Sequence, residues 1–173
     1  RALARMGIPA VISRGDNVLT SEASAQWHRL LAAIAHPTDP RRARALALSW
    51  FIGWDAAALA AATDEDMAAL QEQIHGWSEQ LNASGVAALI GLIRSETGVA
   101  ARVLSLDDGD RAMTDLDHVA ELLVLASGRK PSPATLLTLF EQLSGGNDDG
   151  DPEADLAARR VESEARAVQI MTT

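Results

Sequence analysis

Four histidines, a run of carboxylates and one knot of arginines have side chains suited to chemistry, and spacing decides what each could do. His28, His36, His75 and His118 stand singly on different segments. None has the His-x-x-x-His spacing that puts two imidazoles on one helix face, so they predict packing or surface roles rather than a zinc site. Asp107, Asp108 and Asp110, with Glu121 downstream, have the oxygen chemistry for Ca²⁺ or Mg²⁺. The residues between them open a helix instead of continuing a binding loop, so a solvated turn is the simpler reading. The acidic stretch 148–155 reads as a linker. Phosphate chemistry lacks its cradle, because Gly-x-x-x-x-Gly-Lys-Ser/Thr is missing, and neither Gly-x-Gly-x-x-Gly after a strand nor Gly-x-Ser-x-Gly is present.

Two features remain as candidates for binding. Arg41, Arg42 and Arg44 open one helix and form the best cationic cluster in the chain. Clustered cations are what counterion release from a duplex requires. Two of the three can face solvent while Leu46 and Leu48 turn inward. Just downstream, Trp50-Phe51-Ile52-Gly53-Trp54 is an apolar turn before a capped helix. Such a turn either plugs the core beneath a helix junction or brings backbone N–H groups to a phosphate.

The elements that position these residues are mostly helical. Residues 2–6 read as the end of a helix stopped by Gly7, and residues 8–12 as a short strand held to an edge or a strand start by Pro9. Residues 13–18 form a polar loop. Ala23, Trp27, Leu30, Leu31 and Ile34 then recur at helical spacing until His36-Pro37. Asp39-Pro40 pairs an N-cap with a proline at the first helical position. Asp55 caps a short Ala-rich helix, and Thr63 with Asp66 predicts a capping box. Met67, Leu70, Ile74, Trp77 and Leu81 make a seam suited to core packing, or to a partner helix. Helices over 86–97 and 99–105 follow. Thr114 is expected to cap the next, with Leu116, Val119, Ala120 and Leu123 inward, and Ser132-Pro133 opens the last. Residues 144–155 are too polar and Gly-rich to order themselves, and 167–172 read as a closing strand. Two lone strands cannot bury themselves, so a helical insertion between strands of a larger sheet is the economical architecture.

Composition narrows the function classes. The 173 residues suit one domain, and 47% apolar residues suffice for a core built from Ala, Leu, Ile and Val, since aromatics are only 3%. With no cysteine, disulfides, zinc ribbons and thiol nucleophiles are excluded, which fits a reducing, cytoplasmic compartment. A net charge of −9 means that the chain as a whole is no electrostatic clamp for nucleic acid. No apolar run reaches membrane-spanning length and no signal peptide is expected. A first residue that is Arg instead of Met predicts an excised piece of a longer protein.

Several of these segments resemble RecB and its UvrD/Rep-type superfamily 1 helicase relatives. At the ends the likeness is carried by Gly7-Ile8-Pro9-Ala10-Val11-Ile12, and by Val161-Glu162-Ser163-Glu164 leading into Ala167-Val168-Gln169-Ile170-Met171-Thr172. In that family the latter strand runs into a His-x-x-Lys-Gly-Leu-Glu motif. Internally, Arg111, Thr114, Asp115, His118, Glu121, Leu122 and Leu123 match a RecB helix pattern, and Ile52-Gly53 falls where RecB-type proteins carry a comparable turn. UvrD's Arg-Gly-Ile-Gly is not present.

The resemblance implies a mainly α 2B subdomain of about eight helices inserted in the 2A motor domain. Its parts would be a 2A edge at 1–19, the helical body at 20–143, an acidic loop and return segment at 144–159, and a return strand at 160–173. It further implies that the parent is an ATP-dependent 3′→5′ helicase and exonuclease of the exodeoxyribonuclease V type, acting in double-strand-break repair. ATP and Mg²⁺ would bind outside this segment, which would hold no cofactor or metal and do no chemistry alone. Its partners would be duplex DNA, RecC- and RecD-like subunits and its own 1A and 2A domains, with DNA met at Arg41, Arg42, Arg44, Ile52, Gly53 and Trp54. A free-standing α-helical adaptor for protein partners is the second reading.

Overall fold

The computed structural model describes residues 17–128 and 130–145 in full, and the backbone of 10–12 and 168–170. The expected helix end at 2–6, residues 8–9 and 13–16, the acidic stretch beyond 145 and the remainder of the return segment lie outside the described residues.

The fold is mainly α, with eight α-helices among the described residues: α1 (Glu22–Ala35), α2 (Pro40–Ala47), α3 (Ala56–Ala61), α4 (Asp64–Ser84), α5 (Val86–Thr97), α6 (Val99–Leu104), α7 (Gly109–Ala126) and α8 (Pro133–Gly145). Among the described residues, strand content is one pair of three-residue segments, β1 (Ala10–Ile12) and β2 (Val168–Ile170). They run parallel, with Ala10 opposite Val168, Val11 opposite Gln169 and Ile12 opposite Ile170. A parallel pair needs a crossover connection. Here the connection includes the whole helical body.

α1 is the central helix. It packs against α2, α4, α7 and α8, and nine of its fourteen residues are buried. Trp27 anchors it twice over: its ring meets Phe51 edge-on at 5.0 Å, and its Nε1–H donates to the Leu116 carbonyl at 3.0 Å. α4 buries the stripe Leu70, Ile74, Trp77 and Leu81 with Met67 half-buried, so the predicted seam belongs to the core rather than to a partner helix. Its start is the predicted capping box. The Thr63 hydroxyl accepts from the Asp66 N–H at 3.2 Å, and the Asp66 carboxylate accepts from the Thr63 N–H at 2.8 Å. α3 buries no residue at all.

Four local expectations are corrected. Val18 is fully buried instead of lying in a polar loop: the Asn17 side chain accepts from the Leu19 N–H, closing a turn of 3₁₀ helix (Val18–Thr20) that carries Val18 and Leu19 into the core. Leu48 is 47% exposed while Leu46 is buried. Residues two apart point to different sides of a helix, so the two could not both turn inward. Thr114 lies inside α7, not at its cap, and its hydroxyl donates to the Asp110 carbonyl one turn back. α7 starts early because Gly109 tucks beneath the end of α6, where a Cβ would come within 2.5 Å of the Leu104 carbonyl oxygen. Ser144 and Gly145 belong to α8 and not to the loop after it.

Candidate nucleic-acid interface

The cationic cluster sits on α2. Asp39 caps the helix, accepting from the Arg41 N–H at 2.8 Å, and its other oxygen lies 3.5 Å from the Arg42 guanidinium. The Arg41 amide, chiefly, with Arg42 beside it, holds the Asp39 carboxyl below its ordinary value. Arg41 and Arg44 are exposed, and neither has an ion-pair partner among the described residues. Leu46, Ala43 and Ala47 fix the opposite face in the core. The cations at 41, 42 and 44 therefore cover the first turn and a half of an anchored helix, where the helix dipole adds to the positive potential.

The Gly53 turn lies at the other end of α2, about 9 Å along the axis from Arg41. The Trp54 N–H donates to the Ala47 carbonyl at 2.9 Å and the Gly53 N–H to the Ser49 carbonyl at 2.7 Å. The Phe51 N–H donates to the Ser49 hydroxyl at 3.2 Å, and the Trp50 N–H to the Gln26 side-chain oxygen at 2.9 Å. Four amides of the turn thus point into the protein and are not available to a phosphate. Phe51, 1% exposed, is the core plug. Ile52 and Trp54 are half-buried, leaving part of each at the surface.

Arg102, which no motif in the sequence marks, is the main stay of this turn. Its Nη1 donates to the carbonyls of Trp50 at 2.5 Å and Phe51 at 3.1 Å, and its Nη2 to the Thr97 carbonyl at 3.0 Å. The guanidinium occupies the side of Gly53 where a side chain would stand, so a Cβ there would collide with Arg102 Nε. Gly53 also has φ +81°, in the left-handed region that glycine adopts without penalty. One arginine thereby binds the α2–α3 connection to the end of α5. Gln26 and Ser49, both buried, are further residues of the turn that sequence reasoning missed. A glutamine on the apolar face of α1, between Ala23 and Trp27, was the legible signal for the first.

α7 brings together the internal pattern of residues. Asp115 and His118 are buried on its inner face, whereas Arg111 and Glu121 are exposed. Asp117, on the same helix, pairs with Arg94 of α5. Among the described residues no group of three His, Cys, Asp or Glu side chains could hold a metal ion, and no helix is long and apolar enough to cross a membrane.

No protein-family model matches the chain. Over 171 residues, 99% of its length, it is 36% identical to the RecBCD enzyme subunit RecB of Mycolicibacterium smegmatis. Over 177 residues it is 37% identical to the same subunit of Mycobacterium tuberculosis, and over 174 residues 26% identical to that of Escherichia coli. The chain spans about 15% of the length of the mycobacterial relatives and 14% of the Escherichia coli one.

Proposed function

We propose that this chain, homologous to a segment of roughly 170 residues of RecB, is a non-catalytic accessory subdomain of a RecB-type ATP-dependent helicase–nuclease that contacts duplex DNA and partner subunits. The observation that carries the reading is identity to RecB running through 99% of the chain. A single shared motif would not give that coverage. Two structural features support the 2B assignment. The body is all helix, and it lies between the two strands of the parallel pair β1–β2, an arrangement that an insertion into a motor-domain sheet would give. Residues near 1–19 and 160–173 would then be 2A edges, and ATP and Mg²⁺ would bind elsewhere in the parent. RecC- and RecD-like subunits are the natural protein partners, because the relatives are named as subunits of RecBCD.

Within this reading duplex DNA meets the N-terminal half of α2. Arg41 and Arg44 are exposed there, with no ion pair among the described residues, and Arg42 shares its charge with Asp39. Since the turn amides face inward, Ile52, Gly53 and Trp54 would meet DNA only through the surface parts of the two side chains. For a chain of net charge −9, binding at low salt should be weak, on the order of 10⁻⁴ to 10⁻⁶ M, as for non-specific contacts. Fluorescence anisotropy with a labelled duplex across a salt series tests the assignment. Arg41→Glu with Arg44→Glu is expected to weaken binding and flatten the salt slope by about 0.9 for each phosphate no longer neutralised. An unchanged slope would place the DNA elsewhere.

A further inference from the structure

The groove beside the Gly53 turn has a chemistry opposite to that of α2. Ile52 and Trp54 form one wall and Leu70 with Gln73 of α4 the other, while the carboxylates of Asp66 and Glu96 stand at the rim. The hollow is open and holds about 570 Å³, room for a few side chains. Both carboxylates are held in place by the protein: Asp66 accepts from the Thr63 N–H and hydroxyl at 2.8 and 2.7 Å, and Glu96 accepts from the Trp77 Nε1–H at 2.8 Å. Each thus keeps its position at the rim with no arginine or lysine paired to it among the described residues.

The only charged side chains that line the groove are carboxylates, Asp66 and Glu96, and the sequence that supplies most of the lining is acidic. Between Arg44 and Arg94 the sequence has no Lys or Arg, while Asp55, Asp64, Glu65, Asp66, Glu72 and Glu79 all fall in that interval. Arg102, behind the turn, is engaged with three backbone carbonyls. A phosphate backbone approaching this face would meet carboxylates, and repulsion would keep it off. A guanidinium or ammonium group would meet two fixed carboxylates beside the partly buried indole of Trp54, an aromatic ring of the kind that attracts cations through its quadrupole. The apolar side chains of Ile52 and Leu70, on the two walls, take a neighbouring hydrophobic side chain.

We infer that this groove, between the Gly53 turn and α4, docks a protein segment that presents Arg or Lys next to an aliphatic residue. The inference stands on the groove itself and does not need the DNA assignment to be right.

The test uses the 173-residue chain, a labelled peptide built of Leu and Arg as probe, and the same peptide with Glu replacing Arg as control. Amide and indole NMR signals report the place of binding. The Leu/Arg peptide is expected to shift Ile52, Trp54 and Gln73, and the Leu/Glu peptide to shift none of them. Gln73→Lys places a like charge at the rim, and Glu96→Gln removes a carboxylate while keeping an acceptor for Trp77. With circular dichroism unchanged, each should weaken the Leu/Arg peptide roughly tenfold. Shifts confined to other surfaces, or affinity indifferent to both variants, would overturn the inference. So would a DNA duplex, or a second copy of the chain at raised concentration, shifting these same residues in place of the peptide.

Discussion

At the scale of single residues, the geometry around Gly53 makes the sharpest claims. Gly53→Ala forces a Cβ into the Arg102 guanidinium and a left-handed φ onto alanine, and the second effect alone costs roughly 1 kcal/mol. Arg102→Ala leaves the Trp50, Phe51 and Thr97 carbonyls without their donor, at about 1–3 kcal/mol. The two effects are coupled, since removing Arg102 also removes the clash. Urea titrations of both single variants and the double variant should therefore give less than the additive loss, and strict additivity would mean that the guanidinium is not what crowds Gly53. Phe51→Ala, beneath the same turn, should cost about 3–5 kcal/mol as a core cavity. Of these residues only Gly53 and the apolar run are legible in the sequence. Arg102 reaches partners about fifty positions away, and no local spacing announces such a reach.

At the scale of elements, the caps explain why most helix starts can be read from the chain. Asp39-Pro40, Asp55, Thr63 with Asp66, and Ser132-Pro133 all act locally, through a side chain accepting a backbone N–H two or three residues on. The start of α7 escapes such a reading because a tertiary fit decides it: Gly109 passes under α6, and Thr114 is left with a role inside the helix. The same caps predict a pH response. Asp66 is held below the ordinary aspartate value of 3.8 first by the Thr63 N–H and then by its hydroxyl, and Asp39 first by the Arg41 N–H. Each folded carboxyl binds its proton more weakly than the unfolded one. Its stabilisation is therefore complete above the ordinary value and is lost as pH falls through the lowered one. NMR titration of the two carboxyl carbons should show midpoints below 3.8; midpoints at or above that value would mean that the caps are not formed in solution. Thr63→Ala, which removes the hydroxyl from the box, should cost α4 about 1 kcal/mol in a denaturant titration.

At the scale of the whole molecule, fold class and kinship are legible for different reasons. Helical periodicity recurs through most of the chain and needs no tertiary information. Kinship to RecB is carried by the end segments and the α7 pattern, and the identity to RecB extends over nearly the entire length. The placement of partners is not legible, because it depends on which faces remain after folding: the turn amides point inward, Leu48 points out, and the α4 side of the turn is acidic. The central claim is that this helical body works as a RecB segment. Its most direct test replaces the matching segment of the Mycolicibacterium smegmatis RecB with these 173 residues and measures ATP-dependent unwinding of linear duplex DNA by the assembled complex. The chimera is predicted to unwind DNA well above a variant lacking the segment, and Arg41→Glu with Arg44→Glu is predicted to lower that activity most steeply at raised salt. A chimera that assembles with its partner subunits yet unwinds no better than the deletion would contradict the claim.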